Sequence, residues 1–148
     1  MDMMVCLLQD FMRIALDLAQ VFRGKIWFNM RTQIVYLDKY DWLIKVFYLI
    51  EDPFIEGILG ELDSIDCEPD SFYRAARMLE EGDLNSGFTY TDCEKHVTIM
   101  LIGKATSSAE FFSTFIHEIG HAATHIADYY MIGYDSEEIQ YLTGEIAL

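Results

Sequence analysis

The stretch of sequence that decides the fold is residues 107–130, SSAEFFSTFIHEIGHAATHIADYY. Its first four residues fit a capping box, in which a serine hydroxyl and a glutamate three positions later satisfy free backbone amides at a helix start. Apolar residues then recur at intervals of three and four, as on the buried face of an amphipathic helix. This apolar stripe is Phe112, Phe115, Ile116, Ile119, Ala123 and Ile126. The pattern predicts one helix from about Ser108 to Tyr130.

The opposite face of this helix is polar and carries His117, Glu118, His121, His125 and Asp128. Residues 117–121 read HEIGH, an HExxH pattern, and two histidines one turn apart can aim both imidazoles at one metal ion. Residue frequencies give on the order of 0.01 chance occurrences of this pattern in a chain of this length. Zn²⁺ binds neutral imidazoles and carboxylates and acidifies a water molecule, from which Glu118 can take a proton as general base. The motif predicts a zinc site with His117 and His121 as ligands.

A third protein ligand is required to complete such a site. His125 continues the four-residue spacing, but it lies about 12 Å along the helix axis from His117, too far to share one ion. We therefore expect His125 to be a surface residue or an outer contact of the ligands. Asp128 is expected to be a solvated carboxylate or the acceptor of a ring N–H from a nearby histidine.

A last predicted helix, capped by Ser136, offers carboxylates at Glu137, Glu138 and Glu145. On a helical wheel Glu137 shares a face with Tyr141 and Gly144, a surface suited to close packing against the metal-binding helix. We expect Glu137 to be the third ligand, with Glu138 as the alternative.

The residues before this region alternate between helical and extended patterns. Pro53 interrupts a helical pattern because it removes a backbone donor and disfavours helix just before it. The predicted elements are a helix to about Arg23, a hairpin of strands 25–29 and 33–37, two short helices within 42–65, a helix after Asp70 and Ser71 that ends at Gly82, and a strand pair at 87–91 and 96–102.

Composition excludes several classes of function. The net charge of −15, from 25 acidic against 10 basic residues, opposes the phosphate attraction that nucleic-acid binding requires. Three cysteines without close spacing suggest free thiols in a reducing compartment rather than a disulfide framework. The apolar N-terminus lacks a basic leader, and no run of eighteen apolar residues occurs, so the sequence predicts a cytoplasmic protein that does not span a membrane.

Three segments together carry a resemblance to a known family: HVTIMLIG at 96–103, HEIGHAATH at 117–125 and EEIQYLTGEIAL at 137–148. They resemble the glutamate-type zincins, and among these the minimal metallopeptidase-like proteins of bacteria, phages and other mobile elements, including the ImmA/IrrE group. Gln140 departs from the pattern, because alanine is expected there. By this resemblance His117 and His121 match the metal ligands, Glu118 the catalytic base, and Glu137 or Glu138 the third ligand.

The resemblance implies an α+β fold with a small antiparallel sheet packed on helices. Residues 1–148 would form a single zincin-like domain, with N-terminal helices and a hairpin in 1–95 and the metal-binding core in 96–148. The strand His96 to Ile102 would be an edge strand that pairs with an extended peptide substrate.

Two functions are expected from these patterns. The first is a cytoplasmic zinc metallopeptidase that acts on one protein or a few, as a regulator in a phage or other mobile element. The second is a catalytically idle module that keeps the zincin fold and binds a protein partner.

Overall fold

A computed structural model of the chain describes residues 31–147. The predicted N-terminal helix and the first strand of the predicted hairpin lie outside these described residues. The described elements are β1 (Arg31–Leu37), β2 (Trp42–Tyr48), α1 (Ile55–Ser64), α2 (Pro69–Glu81), β3 (Gly87–Asp92), β4 (Val97–Ile102), α3 (Ser108–Tyr129) and α4 (Glu137–Ile146). Short 3₁₀ helices follow β1 and precede α1. The expected α+β class is confirmed.

The four strands form one sheet in the order β1-β2-β4-β3. The outer pairs β1/β2 and β3/β4 are antiparallel, whereas β2 and β4 run parallel in the middle. The predicted antiparallel sheet is therefore wrong, since the sheet is mixed. A parallel pair needs a long crossover, and α1, α2 and β3 provide it between β2 and β4.

The position of β4 corrects a second prediction. The strand expected at His96 to Ile102 was assigned to a sheet edge, but β4 lies between β2 and β3 and pairs with both. Within residues 31–147 the edges of the sheet are β1 and β3. A peptide that adds to this sheet would have to pair with one of those two strands.

The segment Trp42–Tyr48 is also different from its prediction, because it forms β2 rather than a helix. Trp42, Ile44 and Val46 are buried on one face of the sheet, and Phe47 is buried on the other. Helices cover both faces, so the strand reads as a nearly continuous apolar run, which periodicity cannot distinguish from a helix. The helix predicted after Pro53 is confirmed as α1.

Two hydrophobic cores lie on the two faces of the sheet. One is shared by the sheet, α3 and α4, and it includes Ala122, Ile126 and Leu142. The other is shared by the sheet, α1 and α2, and it includes Leu62 and Met78. No helix within residues 31–147 has the length and apolar character of a membrane span.

The ends of the helices follow local sequence signals in part. The hydroxyl of Ser107 accepts a hydrogen bond from the Glu110 amide at 3.1 Å, so the predicted start of α3 is confirmed. Helix α2 ends at Gly82 in a left-handed conformation, as predicted. However, α2 begins at Pro69 with Glu68 at the cap position, so Asp70 and Ser71 lie inside the helix and do not cap it. Proline fits there because the first helical residue needs no amide donor.

Candidate metal centre

Helix α3 holds the two motif histidines on its exposed face, one turn apart. The Nε2 atoms of His117 and His121 lie 3.0 Å from each other, and the ring planes are inclined at 86°. Nitrogens at this separation can both lie 2.0–2.1 Å from one Zn²⁺ ion, with an angle of roughly 95° at the metal. The histidine pair therefore has the spacing that a shared ion requires.

Glu118 lies between these histidines in sequence but points to a different environment. Its side chain is only 4% exposed, although the sequence places it on the polar face of α3. Its Oε2 accepts a hydrogen bond of 2.6 Å from the Thr89 hydroxyl in β3. None of the ion pairs within residues 31–147 includes Glu118. A buried carboxylate is thus held against an edge strand by a neutral donor.

Gly87 in β3 makes this position of Glu118 possible. A Cβ atom at residue 87 would lie 2.5 Å from both Cγ and Oε1 of Glu118, closer than nonbonded atoms can approach. The absence of a side chain at residue 87 therefore lets Glu118 pack directly against the strand, while Thr89 binds Oε2. Sequence reasoning did not identify either residue as part of the site.

His125 is half-buried on the same side of α3. Its Nδ1 lies 3.0 Å from the Thr91 hydroxyl, which in turn lies 2.9 Å from the Thr98 hydroxyl. Thr98 accepts a hydrogen bond from the Trp42 indole at 2.9 Å, so a chain of polar contacts leads from His125 into the core. Burial lowers the pKa of His125, and the nearby His121 lowers it further, while Asp128 and Glu118 act in the opposite direction.

The placement of His125 and Asp128 can be compared with the sequence prediction. The rings of His121 and His125 are 6.3 Å apart between centroids, so His125 adjoins the histidine pair without joining it. The carboxylate of Asp128 accepts a hydrogen bond from the Tyr134 hydroxyl, and the hydrogen bond of His125 goes to Thr91 instead. The role of Asp128 as acceptor of a histidine ring proton is not seen in this arrangement.

The contacts with β3 explain how the site is assembled. Successive residues of a strand point to opposite faces, so Gly87, Thr89 and Thr91 all face α3. The small and hydroxyl-bearing side chains allow the helix to approach the strand closely. The signal that could have revealed them is the alternation in GFTYT, where each second residue is small.

The carboxylates predicted as third ligand lie elsewhere. Glu138 accepts hydrogen bonds from Lys39 at 2.6 Å and from the Tyr40 hydroxyl at 3.2 Å, just beyond β1 at the far edge of the sheet. The Lys39 ammonium lowers the pKa of Glu138. Glu137 is exposed to solvent.

The predicted packing face of α4 is wrong. Tyr141 is 70% exposed, and no atom outside α4 lies within 4 Å of the place that a Cβ at Gly144 would occupy, whereas Leu142 and Ile146 are buried. Within residues 31–147, no group of three His, Cys, Asp or Glu side chains is arranged to hold a metal ion. The assignment of Glu137 or Glu138 as third ligand stays a prediction, and the structure does not bring either to the histidine pair.

A cleft of about 490 Å³ opens beside Thr89 and His125. Comparison of the chain with protein-family models, with curated proteins and with solved structures finds no match in any of the three. The functional interpretation therefore rests on the motif, its surroundings and the cleft.

Proposed function

We propose that this protein is a zinc-dependent metallopeptidase of the zincin type, which hydrolyses peptide bonds in a protein or peptide substrate. The observation that carries the proposal is the histidine pair of α3, whose Nε2 atoms lie 3.0 Å apart, together with the buried Glu118 that follows His117 in the sequence. The two imidazoles fit two positions of a zinc site. A third protein ligand is not formed by the described residues, so the fit is partial.

The burial of Glu118 supports a role in chemistry. Burying a polar group costs free energy unless it is hydrogen-bonded, and within residues 31–147 the Thr89 hydroxyl is the only side-chain donor to Glu118. Such an arrangement is unfavourable for stability alone. Buried polar groups with few hydrogen-bond partners require an explanation, and a role as acid, base or ligand provides one.

The surroundings of the two carboxylate oxygens of Glu118 suggest that they have different roles. Thr89 fixes Oε2, whereas none of the hydrogen bonds within residues 31–147 uses Oε1, which is therefore the oxygen left to act as the base. Oε1 would then take the proton from the attacking water and later pass it to the leaving nitrogen. A zinc ion, when bound, would supply polarisation of the scissile carbonyl and a lower pKa for the water.

The substrate would be held by β3. This strand is an edge of the sheet within residues 31–147, and it lies against α3 at Glu118. An extended peptide can add to such an edge through main-chain hydrogen bonds. This assignment replaces the strand His96 to Ile102, which lies inside the sheet.

A catalytically idle module that binds a protein partner is the second candidate. The observation that favours it concerns Glu138, the alternative third ligand. Glu138 is paired with Lys39 at the opposite edge of the sheet, away from the histidine pair. The cytoplasmic location also remains part of the proposal, since Cys67 and Cys93 are free thiols, as is usual in reducing compartments. A role as a regulator in a mobile element rests on the resemblance of the motif segments.

The test compares zinc-loaded wild type with Glu118→Gln on fluorescently labelled casein. We expect the variant to keep its fold and zinc but to cleave 10²–10⁴-fold more slowly, because an amide cannot accept the proton. Glu110→Gln, an exposed site in the first turn of α3, serves as the charge-matched control and should cleave like wild type. Equal rates in wild type and Glu118→Gln contradict the mechanism. Zinc binding without cleavage by wild type favours the idle module.

A further inference from the structure

The cleft of about 490 Å³ lies between β3 and the end of α3. Thr89 and Thr91 line it from the face of β3 that contacts α3, and Tyr90 lines it from the opposite face. Because residues from both faces of the strand contribute, the cleft opens on the outer edge of β3. Its volume lies within the range of ordinary ligand pockets.

The cleft adjoins the candidate metal centre through two of its lining residues. Thr89, one of its lining residues, donates the hydrogen bond to Glu118. His125, another lining residue, has its ring 6.3 Å from that of His121. A peptide that lies along β3 and reaches Glu118 would therefore place a neighbouring side chain in this cleft.

The charged groups of the cleft walls are acidic. Glu68, just before α2, lies on one wall, and Asp128, in the last turn of α3, lies on the other. No Lys or Arg is among the described residues that line the cleft. Neither carboxylate takes part in an ion pair within residues 31–147, whereas the nearby Asp66 pairs with Lys95 at 2.5 Å.

The dipoles of α3 and α2 have opposite effects on how strongly the two carboxylates attract a cation. Asp128 lies at the C-terminal end of α3, where the helix carries partial negative charge, so the dipole adds to the attraction for a cation. Glu68 lies at the N-terminal end of α2. The partial positive charge of this helix end offsets part of the negative charge of Glu68. The wall formed by α3 is therefore the more strongly negative of the two.

The remaining lining suits a long side chain with a charged end. Tyr90 and Tyr129 offer aromatic surface for an aliphatic stem, and lysine and arginine bury such stems while their charged groups remain near water or a carboxylate. An acidic side chain would meet like charge, and a short apolar side chain would leave both carboxylates without a countercharge.

We propose that this cleft binds a lysine or arginine side chain of an extended peptide, so that the protein selects basic segments of its substrates. The inference rests on the proposed function for the identity of its ligand as a substrate. The cleft determines which peptide is held, while Glu118 and the histidine pair act on it.

The test measures binding of three fluorescein-labelled octapeptides that are identical except for a central Lys, Gln or Glu. Fluorescence anisotropy with the full chain requires neither zinc nor cleavage. We expect the Lys peptide to bind about 3- to 10-fold more tightly than the Gln peptide, since partly exposed ion pairs contribute modestly. The double variant Glu68→Gln with Asp128→Asn should lose this preference. Glu110→Gln with Glu145→Gln has the same net charge at exposed sites outside the cleft, and it should keep the preference.

Five outcomes decide between the possibilities. Equal binding of the Lys and Gln peptides, or no binding of the Lys peptide up to about 1 mM, overturns the inference. An equal loss of preference in both double variants also overturns it, because it would show a general effect of net charge. A preference lost only in the cleft variant supports the inference. If that result is obtained while zinc-loaded wild type cleaves no peptide, the cleft inference stands and the proposed peptidase activity fails.

Discussion

Among residues 31–147, the two edge strands of the sheet have different surroundings. At the β3 edge, α3 contacts the strand through polar groups, with Glu118 on Thr89 and His125 on Thr91. At the β1 edge, α4 packs on the hydrophobic core through Leu142 and Ile146, and its Glu138 forms an exposed ion pair with Lys39. The β1 edge needs only apolar packing and surface charge to be stable, whereas the β3 edge buries a carboxylate. Under the proposed function, chemistry belongs to the β3 edge and support of the fold to the β1 edge.

The largest effect is expected for Gly87→Ala. The new methyl group would displace Glu118, whose Cγ and Oε1 lie 2.5 Å from its position. We expect a loss of about 1–3 kcal/mol in the free energy of unfolding from overpacking. The cleavage rate should fall roughly 10²-fold through misplacement of the carboxylate. Urea denaturation and casein cleavage measure the two effects.

Gly60→Ala is the matched control for this change. Gly60 lies inside α1, and nothing lies within 4 Å of an added methyl group there. Alanine is the better helix former, so this variant should gain about 0.5–1 kcal/mol in stability without any change in cleavage. Unaltered stability and cleavage in Gly87→Ala would show that the β3 edge is not tightly packed against Glu118.

Thr89→Val should have the next largest effect. Valine keeps the shape of threonine but removes the one side-chain donor to Glu118 found among the described residues. Loss of a hydrogen bond to a buried carboxylate costs about 1–3 kcal/mol, and we expect kcat to fall about 10-fold while KM changes little. Thr89→Ser restores the hydroxyl and should recover most of kcat. A serine variant as slow as the valine variant would show that the methyl group of Thr89 matters, not its hydroxyl.

The smallest effect is expected at the β1 edge, for Glu138→Gln. The Lys39 ammonium lowers the pKa of Glu138 below its ordinary value of 4.5. The ion pair therefore stabilises the folded state above that value, and its contribution is lost as the pH falls through the lowered pKa. Wild type should unfold at a slightly higher temperature than Glu138→Gln at pH 7, and this difference should shrink as the pH falls below 4.5. Zinc content should not change in the variant, and a marked loss of zinc would restore Glu138 as a ligand.

Much of α3 could be predicted from the sequence, because its cap, its period and its motif all lie within one local segment. The buried face of α3 was predicted less well. Ile116 was expected to be buried but is 65% exposed, whereas Phe111 and Ala127 are buried and were not in the predicted stripe. The strand β2 was mistaken for a helix because both of its faces are buried. Its seven residues, rich in aromatic and β-branched side chains, were the signal that favoured a strand.

The contacts that form the site were harder to predict, because they join residues far apart in the chain. Thr89 and Glu118 are 29 positions apart, and only the strand order places them together. The histidine pair could be recognised since it lies within one helical turn. The position of Glu138 could not be recognised from the sequence, because it depends on α4 packing beside β1 rather than β3.

The central claim, that the exposed histidine pair of α3 holds a zinc ion, is tested most directly by metal content. Purified wild type, His117→Ala, His121→Ala and His96→Ala would be analysed for bound zinc by mass spectrometry. His96 is the matched control, because it lies outside the HExxH motif. Its ring stacks on that of Trp42, with 4.8 Å between the centroids. We predict about one zinc per chain in wild type and His96→Ala, and a strong reduction in the other two variants. Full zinc content in both His117→Ala and His121→Ala would contradict the claim.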